Sequence, residues 1–133
     1  MNQLVKVAVA QKPPVLLNLQ ASIAGAIDTI EEAAAQGAKL VIFSETFLAG
    51  YPSWSWKLTA GGDTAGGDDD RALGNAIHAQ LQANSVDLSA NDLQPIQDAA
   101  AKLGVVVGMG LNEIDKAYSG STLYNTYVII GDD

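Results

Sequence analysis

Two short apolar runs with a helical pattern between them constrain this chain most. Leu4 to Ala10 reads as a short buried strand, and Lys12-Pro13-Pro14 stops it, because proline fixes φ and lacks a donor. From about Asn18 the pattern turns helical. Ile23, Ile27, Ile30 and Ala34 recur at steps of four, three and four, on one face, and Gly37 suits the left-handed residue that ends a helix. Leu40-Val41-Ile42-Phe43 follows, apolar without alternation, as expected of a strand covered on both faces. Strand, helix and strand at this spacing form a βαβ unit, with parallel strands and a right-handed crossover.

The rest of the chain extends the same plan. Ser44 to about Asp70 reads as a long loop, of the kind that often carries function, and Arg71 to about Gln82 as a helix. Ser89-Ala90-Asn91-Asp92 has the form of a capping box. After it, Leu93, Ile96, Ala100 and Leu103 make an apolar helix face closed by Gly104. Val105 to Leu111 and Leu123 to Ile130 read as buried strands, joined through a hairpin-type loop from Asp115 to Ser121. The fold class is α/β, layered, in the order β-α-β-(α)-α-β-β. Gly131-Asp132-Asp133 is a turn signal straight after a strand, so the sequence reads as cut off within a sheet.

Composition shortens the list of chemistries. The 133 residues carry a net charge of −8, which argues against nucleic acid and against anionic membrane surfaces. No apolar run approaches the ~20 residues of a membrane helix, and no secretory signal is recognisable. The expectation is a soluble, cytoplasmic protein. There is no cysteine, hence no disulfide framework or thiolate within these residues. The single histidine, His78, makes a histidine metal cluster or a histidine-based triad improbable. No metal or organic cofactor is implied.

The best candidate for chemistry is Glu45, in Ser44-Glu45-Thr46 at the carboxyl end of a strand, the edge where open α/β sheets bind ligands. Partial desolvation there would raise its pKa and suit it to proton transfer. Position alone favours a structural acid, capping a helix or pairing with a lysine. Tyr51, Trp54 and Trp56 follow and could line a pocket. Trp54 and Trp56 would share a face if that segment is extended, and they suit packing equally well.

Weaker signals fail their context tests. Gly108-Met109-Gly110-Leu111-Asn112-Glu113 lacks the third glycine and the following helix of a dinucleotide loop. Glu113 reads as a structural acid before a second site acid. Asp63 with Asp68-Asp69-Asp70 does not match a calcium loop. Ser53, Ser55 and Ser121 lie in no nucleophile elbow.

One resemblance spans nearly the whole chain in order. Ala8-Val9-Ala10-Gln11, then Glu31-Glu32-Ala33, then Gly37-Ala38-Lys39-Leu40-Val41-Ile42-Phe43-Ser44-Glu45-Thr46-Phe47-Leu48-Ala49-Gly50-Tyr51-Pro52 resembles the opening of a nitrilase. Asn84-Ser85-Val86, Gly108 to Glu113 and Leu123-Tyr124-Asn125-Thr126 fit as well. The strand-Glu-Thr block through Gly-Tyr-Pro is quite specific, and resembles true nitrilases more than amidases.

The resemblance implies the N-terminal half of an αββα sandwich, truncated mid-sheet, with residues 1–133 a partial carbon–nitrogen hydrolase domain. It implies a Glu–Lys–Cys triad with Glu45 as general base, Tyr51 near the substrate, and Trp54 and Trp56 by the pocket mouth. The partner is a small-molecule nitrile, and the parent a homodimer or larger spiral homo-oligomer. Neither Lys102 nor Lys116 occupies the place of the family lysine, so the lysine and the cysteine are expected beyond Asp133. A catalytically inactive interaction module, an amidase and a cyanide hydratase are the alternatives.

Overall fold

The computed structural model describes residues 4–58 and 67–132. Its order is β1 (Val7–Val9), α1 (Leu19–Ala35), β2 (Leu40–Ile42), a 3₁₀ turn (Ser53–Trp56), α2 (Gly67–Ala83), a second 3₁₀ turn (Leu88–Ala90), α3 (Gln94–Leu103), β3 (Val106–Asp115) and β4 (Thr122–Ile130). The strands form one sheet in the order β1-β2-β3-β4. The pairs β1–β2 and β2–β3 are parallel, as the βαβ reading requires, and β3–β4 is an antiparallel hairpin.

Local signals explain where α1 begins and ends. The Asn18 side chain accepts from the Ala21 amide at 3.0 Å, satisfying one free N–H of the first turn. Gly37 takes φ +85°, which only glycine adopts without strain, just after the last turn. The buried stripe Ile23, Ala26, Ile30 and Ala33 packs toward the sheet. From α3, Ile96 and Ala100 join the same core, with Gly104 closing that helix at φ +61°.

The two faces of the sheet differ. Val41, Val107, Met109 and Leu111 alternate onto the helix-covered face and are buried. The opposite face carries Val7, Val9 and Ile129, all exposed, with Leu40, Ile42 and Val106 half-buried.

Several expectations need correction. β1 spans only Val7–Val9 and is not a buried strand: Leu4 and Val5 are exposed, and the strand has neither an outer neighbour nor a second covering layer among the described residues. β4 is half exposed for the same reason, with Tyr124, Tyr127 and Ile129 in water. α2 starts at Gly67, earlier than Arg71. Ser89 does not cap α3. Instead Asp87 accepts from the Ser89 amide at 2.9 Å and caps the second 3₁₀ turn, while Asp92 accepts from the Asp87 amide at 2.8 Å. A carboxylate beside the first free amides of a tight turn takes the bond, and Ser89 lies five residues before the start of α3, too far to cap it. Asp63 and the side chain of Asp68 lie outside the described residues.

Candidate active site

The site is built by an interruption in the β2–β3 ladder. The Phe43 amide donates to Gly108 O at 2.9 Å, and the next rung is the Leu48 amide donating to Gly110 O at 3.1 Å. Residues 44–47 are therefore extruded between two successive rungs, and Glu45 stands in the extruded segment. It crosses directly over Gly110. A Cβ at position 110 would meet Ser44 O and lie 2.7 Å from Thr46 N and 2.8 Å from Glu45 Cα. All three neighbours are backbone, so only glycine lets the strand pass.

The return to the ladder is tightly turned. Thr46 takes φ +47° and Ala49 φ +74°, both in the left-handed region, and Gly50 follows at φ +88°. For a β-branched residue such as Thr46 this costs about 1–3 kcal/mol, and it persists where surrounding contacts over-determine it. Those contacts are visible. The Phe43 and Phe47 rings pack at 4.8 Å, and the Gly50 amide donates to Thr46 O at 3.0 Å. Asn112 is buried, and its side-chain amide donates to both Leu48 O at 3.2 Å and Gly50 O at 2.9 Å. Thr46 Oγ1 is buried without a hydrogen-bond partner among the described residues.

From the other side, β4 reaches the same segment. Asn125 Nδ2 donates to Glu45 Oε1 at 2.5 Å, and the Tyr127 hydroxyl donates to Phe43 O at 3.2 Å. Tyr127 lies over Gly108, where a Cβ would fall 2.7 Å from its hydroxyl oxygen. Burial pushes the Tyr127 phenol above its ordinary 10.0, so it stays a neutral donor at physiological pH.

Glu45 itself is exposed, so the expected desolvation by strand and loop is not supplied by these residues. The extrusion carries its side chain off the open face of the sheet, away from the helix-covered core. Tyr51 and Trp56 form a second group a few residues on. Trp56 Nε1 donates to the Tyr51 hydroxyl at 3.4 Å, and both rings are exposed, at 47% for Tyr51 and 80% for Trp56. Trp54 is half-buried. Trp54 and Trp56 do not share a face. Their segment is a 3₁₀ turn with three residues per turn, so side chains two apart diverge. Asn112 connects the two groups through Gly50 O.

Other candidates stay apart. Glu113 accepts from Thr126 Oγ1 at 2.6 Å on the opposite face of the β3–β4 hairpin, a structural pairing. His78 is exposed on α2. A groove of about 420 Å³ runs along β1 and α1, lined by Lys6, Lys12 and Glu32 among others, and does not include Glu45. Among the described residues no helix is long and apolar enough to cross a membrane. Sequence reasoning missed Asn112, Gly110 and Asn125 as builders of the site. Only the close spacing of Gly108, Gly110 and Asn112 hinted that something crosses that strand.

An acid extruded at the carboxyl end of an inner parallel strand stands where open α/β sheets bind their ligands. The carbon–nitrogen hydrolase family model matches residues 6–133, and the chain belongs to that family. It is 33% identical to an arylacetonitrilase of Hypocrea virens over 99% of this chain and 35% of that protein. It is 35% identical to a cyanide hydratase of Armillaria gallica (98% and 33%) and 35% identical to an aliphatic nitrilase of Rhodococcus rhodochrous (95% and 29%). The chain thus spans about a third of the length of these curated relatives. Among solved structures, a Saccharomyces cerevisiae member of branch 10 of the nitrilase superfamily matches with TM-score 0.64 and 21% identity, over 97% of this chain and 40% of that one. The C. elegans NitFhit protein matches at TM-score 0.60 and 16% identity, over 98% and 26%. The fold is accordingly the N-terminal part of the nitrilase fold.

Proposed function

We propose that the full-length protein hydrolyses a nitrile to its carboxylic acid and ammonia, with Glu45 as general base. The observation that carries this is the placement of Glu45. The chain leaves the β2–β3 ladder, crosses over Gly110, where a Cβ would block it, and presents the Glu45 carboxylate on the open sheet face. Its nitrilase relatives support the substrate class.

In this reading a lysine and a cysteine from beyond residue 133 complete the site. Glu45 takes the thiol proton, and the thiolate attacks the nitrile carbon to give a thioimidate. One water releases ammonia and leaves an acyl thioester. A second water releases the acid and returns the thiol. The lysine supplies positive charge where anionic character develops. Tyr51 lies near the substrate, and Trp54 and Trp56 stand by the pocket mouth. The exposed face with Val7, Val9 and Ile129 is where the rest of an αββα sandwich would pack. Self-association of the full-length protein as a dimer or spiral belongs to the same reading.

The cyanide hydratase relatives favour one second reading, in which water adds to the thioimidate and the tetrahedral adduct expels the cysteine thiolate to give an amide, with no loss of ammonia. The test is to give full-length protein phenylacetonitrile, an aliphatic nitrile and cyanide, and to measure acid, ammonia and amide. Acid with equimolar ammonia supports the nitrilase, and amide alone supports the hydratase. Glu45→Gln should lower turnover by roughly a hundredfold or more, and wild-type turnover in that variant would remove Glu45 from the mechanism.

A further inference from the structure

The geometry points to Asn125 as a positioning residue that fixes the Glu45 carboxylate in place through one of its two oxygens. This rests on the reading of Glu45 as the base. The two side chains are 80 residues apart in the chain and meet through a single contact, from Asn125 Nδ2 to Glu45 Oε1.

The contact belongs to a larger clamp. Asn125 lies directly opposite Asn112 in the β3–β4 register. The two carboxamides hold different parts of one extruded segment. Asn112 takes Leu48 O and Gly50 O at its return, and Asn125 takes the Glu45 side chain. Two residues along β4, on the same face, Tyr127 holds Phe43 O where the extrusion begins. β4 therefore grips residue 43 by its backbone and residue 45 by its carboxylate, from a strand paired to β3 along nine registered positions.

An amide suits this task. It cannot titrate, so it does not compete with the base for a proton, and it donates to the charged carboxylate without neutralising it. It leaves Oε2 open. A base on an extruded segment otherwise retains side-chain freedom, and fixing its rotamer from a regular strand is how a reacting group is held in productive geometry.

The test uses full-length protein with arylacetonitrile turnover and selectively ¹⁵N-Asn-labelled protein. We expect Asn125→Ala to lower kcat roughly 10- to 100-fold with KM changed less than about twofold. The isosteric Asn125→Asp, which sets a like charge beside Glu45, should lower it at least as far. In the Glu45→Gln background, Asn125→Ala should add no further loss, since the group it positions is gone. Independently of activity, the Asn125 side-chain amide resonance should shift between wild type and Glu45→Ala, which removes its acceptor.

Asn125→Ala with wild-type kcat, or losses that multiply in the double variant, would overturn the inference. So would an Asn125 amide resonance that ignores Glu45. Loss of kcat only in step with a lowered melting temperature, absent in Asn125→Asp, would make the role structural and overturn it too. The functional reading fails separately, if Glu45→Gln keeps full turnover.

Discussion

On the face of the sheet toward α1 and α3, Val41 and Val107 are wholly excluded from water, whereas on the other face Val9 and Ile129 remain 68% and 69% exposed. The residues are of the same kind and sit on the same strands or their neighbours. What separates them is whether a layer covers them, and two apolar faces on one sheet describe the middle of a sandwich. The open face is also where the proposed base sits. Glu45, Asn125 and Tyr127 are all on it, and the extruded segment 44–47 fills part of the space over Gly110.

The largest effect should come from charging the open face. Val9→Lys with Ile129→Lys should cost the full-length protein about 4 kcal/mol or more, or abolish folded yield, if a second layer buries these positions. In chain 1–133 alone the same pair should raise the soluble fraction, because it blunts an exposed apolar surface. Thermal melts of the first and sedimentation of the second check this, and an unchanged full-length melt would mean the face stays open.

Next, Gly110→Ala should cost about 3 kcal/mol, since the new methyl meets only backbone and the extruded segment must move. Turnover should fall with it, and urea midpoints with kcat report both. Gly120→Ala, at a position with open space but φ +67°, should cost only about 1 kcal/mol and leave turnover alone.

Asn112→Ala should be milder than Gly110→Ala, about 1–3 kcal/mol, because it leaves Leu48 O and Gly50 O without their side-chain donor. Denaturant unfolding measures it.

The smallest effect lies on the helix side. Lys12, by hydrogen bond and charge, holds the Glu32 carboxyl below its ordinary 4.5. A depressed folded-state pKa means the contribution is present above 4.5 and is lost as pH falls through the lower folded value. Lys12→Met should flatten that limb of the stability–pH curve slightly, as expected for an exposed pair.

The βαβ unit, the parallel direction of its strands and both helix-closing glycines were legible in the sequence, because periodicity, proline and glycine act locally. Glu45 was legible as a candidate for the same reason, as an acid following a buried run. Its neighbours were not. Asn112 and Asn125 are unremarkable polar residues in strands, and their roles exist only because β4 folds back beside β3 and β2 is extruded across a glycine. The capping at Asp87 was missed because several side-chain oxygens lie within a few residues of this turn, and geometry decides that Asp87 takes the Ser89 amide and Asp92 the Asp87 amide.

The sequence by itself determined which segments are strands and helices, and which acid stands at the end of β2, since these follow from short-range patterns of apolar, capping and turn residues. Tertiary structure alone decided that β1 and β4 are half bare, that Trp54 and Trp56 diverge, and that an asparagine 80 residues away holds Glu45. Each of those depends on which surfaces meet, and long-range contact leaves no periodic mark on a single chain.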